Sequence, residues 1–174
     1  MDLPVSETQT SGVLVVHQSL ELLQRLKNEV FRKTKHFTEL AKLEIEQGRW
    51  PLLKHAVIFN KLIELKQCYL AQLSIIYGIY STEVEKGLIN EMRGLSFRIF
   101  AVNSVYMGKG NLTPGIDGET LTAAKRLDYL KLLNFNKFLY NYRCSPIKRV
   151  FISTGKKEKR PLGIPTILDR IVQA

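Results

Sequence analysis

Apolar residues recur every three or four positions along most of the first hundred residues. One such pattern begins at Val16, a second at Leu52, and a third covers residues 84–106. An amphipathic helix produces this spacing because its buried face returns every 3.6 residues. A glycine and a proline in the segment 48–51 separate the first two patterns, as a helix end and a helix start require. The pattern predicts three helices that form one layer, behind a polar tail over residues 1–12 that we expect to be disordered.

The pattern changes after residue 106. Residues 107–120, MGKGNLTPGIDGET, hold four glycines and one proline and therefore predict a loop. Asp117 is suited to cap a following helix that extends to about Phe138. β-Branched and aromatic residues then dominate Arg149–Thr154, and a Gly-Lys-Lys-Glu turn leads into a return arm that begins at Arg160. These features predict a β-hairpin.

The last residues read as the start of another helix. Thr166 and Asp169 have the spacing of a capping box, and apolar residues including Ile171 and Val172 follow. Only about two turns remain before the end, and a helix of that length is marginal without a packing partner. We expect this partner to lie in sequence beyond Ala174; the alternative is a short frayed terminal helix.

The predicted fold class is mostly α with a small β-hairpin (α+β). The predicted divisions are a disordered tail over residues 1–12, a helical region over residues 13–106, and a second region over residues 107–174 that is incomplete at its C-terminal end. No apolar run is long enough to cross a bilayer, so we expect no membrane partner. The two cysteines and three histidines share no metal-ligand spacing, and we predict no metal site and no catalytic residue among them.

Charge is unevenly distributed along the chain. Residues 1–100 hold thirteen Lys/Arg and eleven Asp/Glu (+2), whereas residues 101–174 hold thirteen and five (+8), which together give the net charge of +10. A concentrated positive field favours a polyanionic partner such as a nucleic acid, because binding releases counterions from its phosphates. The second region is therefore the candidate for such contacts.

Basic side chains are densest around the predicted hairpin. Because Lys148 and Arg160 lie on opposing arms, we expect their charged groups to converge on one anion. The lysines near the tip would contact a nucleic-acid backbone or simply be solvated. Pro161, Gly163 and Pro165 remove donors or side chains next to the hairpin and allow close approach to a flat partner such as a base pair. The seven basic residues are Arg143, Lys148, Arg149, Lys156, Lys157, Lys159 and Arg160.

Several sequence motifs of this chain resemble those of a known family. KRVFISTGKKEKRPLGIPTILDRIVQA at residues 148–174 resembles the second conserved block of group II intron-encoded reverse transcriptases, RRVYIPK followed by a basic turn and RPLGIPTxxDRxxQ. GKGNLTPGIDG at residues 108–118 resembles the first block, NKGxxTPGVDG. GRWPLLKHA at 48–56 and LSFRIFAVNSVY at 95–106 are similar to the N-terminal extension of that family. Three motifs in the family's order cover roughly residues 20–174.

The resemblance implies an N-terminal extension over residues 13–106 and part of a fingers subdomain over residues 107–174. It implies that Lys148 and Arg160 contact a nucleotide triphosphate, and that a lid covers the template and the nascent base pair. The partner would be intron RNA or template RNA, in RNA splicing by a maturase or in reverse transcription. The residues that would contact template or RNA are Lys109, Gly110, Thr113, Arg149, Lys156, Lys157, Lys159 and the lid residues Leu162, Gly163, Ile164 and Pro165.

Two departures from the family limit the expected chemistry. Thr154 stands where the family has the lysine of IPK, and Gly108 stands where it has asparagine. The family holds its catalytic Mg²⁺ on palm carboxylates, and two-metal transfer needs such carboxylates close together. The aspartates of this chain, Asp2, Asp117, Asp128 and Asp169, are not paired in sequence. We therefore expect no catalytic residue, no cofactor in this chain and no polymerase activity without a palm.

Three readings stay open. The chain is an RNA-binding fragment of such an enzyme, functional or a remnant reading frame; or it is a complementing subunit that docks on a separately encoded palm and thumb, as exposed Ile171 and Val172 would suggest. The third is an unrelated basic RNA-binding module.

The N-terminal tail has two acids and no arginine, which is unlike an import peptide. The expected location is a mitochondrion or chloroplast if the gene is organellar, and otherwise the bacterial cytoplasm.

Overall fold

A computed structural model describes residues 7–133, 141–155 and 158–174, with side chains from residue 12 onward. The fold is mostly α-helical with a small two-stranded antiparallel sheet, which confirms the predicted class. Chain contacts divide it into two compact units. The first unit contains the residues up to Gln47 and Pro51–Met92, and the second contains Gly48–Trp50 and Arg93–Ala174. None of the helices in the described ranges combines the length and apolarity needed to span a membrane.

The first unit consists of three helices, α1 (Glu7–Glu46), α2 (Leu52–Tyr77) and α3 (Thr82–Met92). The apolar faces of α1 and α2 meet, with Phe37 and Phe59 buried and their ring centroids 5.2 Å apart. Pro51 stands just before α2, where its missing N–H costs nothing. Leu23, Leu73 and Val84 form a second buried cluster that includes α3.

Two sequence predictions for the helical layer need correction. The backbone of residues 7–12 belongs to α1, although the sequence predicts a disordered tail there; once a helix is nucleated, each further residue adds a hydrogen bond at low cost. Residues 1–6 lie outside the described ranges. The third predicted helix is two helices, because α3 ends at Met92 and α4 spans Leu95–Met107 with Gly94 at its N-cap.

The boundary between the compact units falls at that break. The unit division lies between Met92 and Arg93, whereas the motif-based division lies between residues 106 and 107. The first division is based on contacts between residues in the structure, and the second is based on the resemblance of sequence motifs, so the two describe different properties. Helix α4 therefore shares its compact unit with the glycine-rich loop and the hairpin, and the assignment of residues 13–106 to an N-terminal extension stays a prediction.

The second unit is built on α4, a 3₁₀ turn (Ala123–Lys125), α5 (Arg126–Leu132), strands β1 (Lys148–Ser153) and β2 (Lys159–Ile164), and α6 (Ile167–Gln173). The helix predicted from Asp117 to about Phe138 begins later than expected. Asp117 does not cap a helix; its Oδ1 accepts a hydrogen bond from the Glu119 N–H at 3.1 Å and shapes a turn instead. The predicted helix end falls on residues 134–138, outside the described ranges.

Helix α6 packs inside its own unit. Ile167 and Ile171 are 0% and 1% exposed, and Val172 is half-buried. The expectation that Ile171 lacks a partner within this chain is therefore wrong, because α6 packs on α4, whose Ile99 and Val102 are also fully buried. The observation that suggested a complementing subunit no longer holds for Ile171.

An arginine lies between two aromatic rings in the second unit. The guanidinium of Arg126 is 5.0 Å from the ring centroid of Trp50 and 4.3 Å from that of Tyr106. Burial lowers the pKa of Arg126, and the ring contacts compensate the lost hydration of its charge. The residues Gly48–Trp50, which separate α1 from α2 in sequence, thus help to form the core of the second unit.

Candidate nucleic-acid interface

The β-hairpin has two exposed faces of different composition. Its strands pair in six cross-strand positions, from Lys148 opposite Ile164 at the proximal end to Ser153 opposite Lys159 near the tip. Side chains alternate across a strand, so each face collects every second pair. The Lys148 face carries Lys148, Val150, Ile152, Arg160, Leu162 and Ile164. The Phe151 face carries Arg149, Phe151, Ser153, Lys159, Pro161 and Gly163.

The register confirms the hairpin and gives the spacing of its cations along each face. Arg160 pairs with Ile152, four residues from Lys148, and at roughly 3.2–3.4 Å per residue this separates Lys148 and Arg160 by about 13 Å along one face. They share a face but are not opposite each other. This spacing fits contact with separate phosphates, and the convergence of both heads on one anion stays a prediction.

The lid residues do not share one face. Leu162 is 46% exposed and Ile164 is half-buried, both on the Lys148 face. Gly163 is on the Phe151 face, where a Cβ would lie 2.8 Å from Cγ2 of Ile147. Pro165 follows the strand, and its carbonyl is engaged by a side chain of α6. Two of the four predicted lid residues thus present aliphatic side chains to the Lys148 face.

The side chain that engages Pro165 is Arg170. Its guanidinium donates to the Gly110 carbonyl at 2.6 Å, to the Thr113 carbonyl at 2.6 Å, and to the Pro165 carbonyl at 3.1 and 3.0 Å. Three carbonyls from two segments far apart in sequence are thereby bound by one planar group. We call this arrangement the Arg170 clamp; it joins the glycine-rich loop to the proximal end of the hairpin.

The glycine-rich loop also approaches the hairpin through its backbone. Gly115 is buried, and a Cβ there would lie 2.7 Å from the Cα of Thr166 and 2.8 Å from its nitrogen. Only glycine permits this approach without a shift of the backbone. Of the loop residues predicted to hold RNA, Gly110 and Thr113 use their carbonyls inside the protein, whereas Lys109 is exposed.

Asp169 anchors the segment that leads into β1. Its carboxylate accepts hydrogen bonds from the Tyr142 hydroxyl, from the Ser145 N–H at 3.2 Å, and from the Thr166 hydroxyl at 2.8 Å. The Thr166 hydroxyl in turn accepts from the Asp169 N–H at 3.2 Å, which confirms the predicted helix start. Asp169 is 3% exposed, so this carboxylate is committed to structure.

Thr154 at the tip of the hairpin has a structural contact. It donates a hydrogen bond from its hydroxyl to the Glu158 carbonyl at 3.0 Å. Gly155 adopts φ +75°, which suits a tight turn. Thr154 therefore helps to close the turn. The predicted contacts Lys156 and Lys157 lie outside the described ranges.

Three other carboxylates of the second unit, those of Asp117, Glu119 and Asp128, border a cleft. A cavity of about 360 Å³ lies between the turn at Asp117, helix α5 and α6. Burial raises the pKa of the Tyr129 hydroxyl, and the nearby carboxylates of Glu119 and Asp117 raise it further. Across residues 7–133, 141–155 and 158–174, no three His, Cys, Asp or Glu side chains gather as metal ligands. The cleft is lined by Asp117, Glu119, Lys125, Asp128, Tyr129, Leu132 and Leu168.

The sequence alone does not identify Arg170 as a central residue, because a helix pattern contains no information about which distant carbonyls a side chain reaches. The available signal is a glycine-rich loop, whose carbonyls lack the partners of a regular helix or strand, together with an Asp-Arg pair at a helix start. That signal indicates a need for donors but does not identify the partner.

Comparison with known proteins finds sequence similarity over part of the chain. No family model matches the chain. A stretch of 67 residues is 40% identical to Protein YkfC of Escherichia coli (strain K12), and it covers 37% of this chain and 18% of YkfC. The similarity therefore concerns a short part of that protein. The chain matches less than a fifth of the length of YkfC.

Proposed function

We propose that this chain is an RNA-binding segment of a group II intron-encoded reverse transcriptase/maturase, comprising the N-terminal extension and part of the fingers. It acts on intron RNA or template RNA, with palm and thumb regions supplied elsewhere. The observation that carries the proposal is the exposed cationic hairpin: Lys148, Arg149, Lys159 and Arg160 are all exposed, and each face has a cation toward each end.

The arrangement of these charges supports a phosphate backbone as the ligand. Cations about 13 Å apart on one face match repeated phosphates better than one small anion. The Arg170 clamp and Asp169 hold the proximal end of the hairpin, so the cations are presented by an anchored element. An anchored element loses less conformational entropy when it binds.

Two aspartates of the second unit make structural contacts, which supports a binding role for the hairpin. Asp169 is buried among its own hydrogen-bond donors, and Asp117 shapes a turn. In this proposal the carboxylates that hold catalytic Mg²⁺ belong to the palm. Lys148 and Arg160 then contact phosphates of RNA or of a nucleotide, each at its own end of the Lys148 face.

Charge reversal tests the proposal. Lys148→Glu, Arg149→Glu and Arg160→Glu are combined in the full chain, and binding to a group II intron RNA is measured by filter retention from 50 to 200 mM salt. We expect affinity to fall more than about tenfold at the lower salt, and the slope of log K against log salt to decrease by about 2, as for three lost phosphate contacts.

The matched control keeps the charge at the same positions. Lys148→Arg combined with Arg149→Lys and Arg160→Lys should bind within a few-fold of the wild type with an unchanged salt slope. Thermal unfolding of both triple variants checks that the fold persists. Wild-type affinity in the charge-reversed variant, with its fold intact, would contradict the proposed function.

A further inference from the structure

Phe151 is not among the residues that the resemblance assigns to nucleotide, template or RNA, although Arg149, Lys159 and Gly163 of its face are. The nucleotide contacts Lys148 and Arg160 and the lid side chains Leu162 and Ile164 fall on the Lys148 face. Phe151 nevertheless exposes 62% of its surface on the opposite side. A single exposed apolar side chain is common on a protein surface, so this exposure gains meaning only from the residues around the ring.

The neighbours of Phe151 give its surroundings a definite chemistry. Pro161 lies directly across from it, and Arg149 and Lys159 lie one row away on either side of the ring. At the strand rise these two cations are about 13 Å apart with the ring between them. None of the six residues of the face is acidic. Gly163, opposite Arg149, adds no side chain of its own, and a methyl of Ile147 lies 2.8 Å from where its Cβ would be.

A flat apolar ring between two cations fits one class of ligand. A base stacks on an aromatic side chain through its π-face, and the phosphates on both sides of the nucleotide then meet the flanking cations. Bases in a duplex are already stacked on their neighbours, so such a ring selects unpaired nucleotides. An apolar protein surface would cover the ring equally well, but would leave Arg149 and Lys159 without charge partners.

We propose that the Phe151 face is a second RNA-binding surface, on which Phe151 stacks an unpaired nucleotide while Arg149 and Lys159 contact the phosphates on either side. This inference rests on the proposed RNA-binding function and deepens it. The hairpin would then bind RNA on both sides, with template or nucleotide on the Lys148 face and a separate unpaired stretch on the Phe151 face.

The test uses the full chain and a 12-nucleotide unpaired RNA, compared with the same strand annealed to its complement. Phe151→Ala should weaken binding to the unpaired RNA by about 5- to 150-fold, the range for one lost base stack. Binding to the duplex should change less than about twofold. The salt slope should equal that of the wild type, because no cation is removed.

A tryptophan at the same position gives a direct readout of stacking. Phe151→Trp should restore affinity, and its fluorescence should be quenched by the unpaired RNA; the native Trp50 is 3% exposed and serves as an internal background. The matched control is Met107→Ala, which removes another exposed apolar side chain of the same unit and should bind as the wild type does.

The outcomes separate this inference from the proposed function. If the wild type shows no salt-dependent binding to either RNA, the proposed function fails and this inference fails with it. If the wild type binds and the charge-reversed triple variant does not, but Phe151→Ala binds unpaired RNA like the wild type, only this inference fails. Equal losses on unpaired and duplex RNA would also overturn it.

Discussion

Replacement of Arg170 by methionine should detach the glycine-rich loop from the hairpin. Methionine keeps an apolar stem of similar length and removes every donor. Two charge-assisted hydrogen bonds of 2.6 Å to the loop carbonyls disappear, together with two to Pro165. At the lower end of about 1.5 kcal/mol per bond, which suits a half-buried side chain, loss of the two loop bonds costs about 3 kcal/mol.

This loss should be large in thermal and exchange measurements. For a unit of this size, about 3 kcal/mol corresponds to a decrease in melting temperature of roughly 12–24 °C. Hydrogen exchange should accelerate at the amides of residues 108–118, and specifically at Leu121, whose N–H bonds the Asn111 carbonyl at 2.8 Å. Arg170→Lys should recover only part of the loss, because one ammonium cannot reach three carbonyls in two segments.

The control for Arg170 is Arg143→Met, which removes an exposed guanidinium from the same unit. It should change stability by less than about 0.5 kcal/mol. The reasoning is refuted if Arg170→Met and Arg143→Met unfold together, or if the loop amides of Arg170→Met exchange at wild-type rates. Either result would mean that the loop keeps its position without the clamp.

Three further variants test other features. Gly115→Ala should destabilise the second unit by about 1–3 kcal/mol in denaturant titration, because its Cβ would meet the Thr166 backbone, which cannot rotate away. Arg126→Met should lower the free energy of unfolding by about 1–3 kcal/mol, because its cation–π contacts are lost. Unfolding is measured by the fluorescence of the single tryptophan, Trp50. An unchanged free energy of unfolding would show that these contacts do not stabilise the unit. Thr154→Lys should raise the salt slope of RNA binding by about 0.7 and the affinity several-fold, whereas the neutral Thr154→Met should not; equal binding by both would exclude the tip from the interface.

The sequence predicts the regular elements well because their signals are local. The helical spacing identifies the helices of the first unit, and the β-branched run at Arg149–Thr154 identifies β1 to within one residue at each end. The capping box at Thr166 correctly marks the start of α6, since side chain and backbone partner are three residues apart. Each of these signals is complete within one or two turns of chain.

The failures concern contacts between distant parts of the chain. The break at Gly94 is hidden because apolar spacing of three and four residues continues through it. The late start of α5 reflects competition for Asp117, whose side chain bonds Glu119 in a turn. The burial of Ile171 depends on α4, about 70 residues away, which no pattern at the chain end reveals.

The candidate site shows the same division. The sequence places the cations on the two arms of the hairpin. The register that sets Lys148 and Arg160 about 13 Å apart depends on how many residues the turn contains. A shift of one residue would exchange the faces. The separation of Phe151 from the lid residues Leu162 and Ile164 therefore becomes evident only from the pairing.

Because an isolated two-stranded ribbon is marginally stable in water, the hairpin depends on its anchors for order. Those anchors, Arg170 and Asp169, touch no predicted ligand. Substitutions there would present in a functional screen as losses of RNA affinity. Substitutions that weaken RNA binding should thus fall into two groups. Those at exposed cations should change the salt dependence of binding, and those at buried anchors should make binding more sensitive to temperature. Measurements at several salt concentrations and temperatures would distinguish the groups without a structure of any variant.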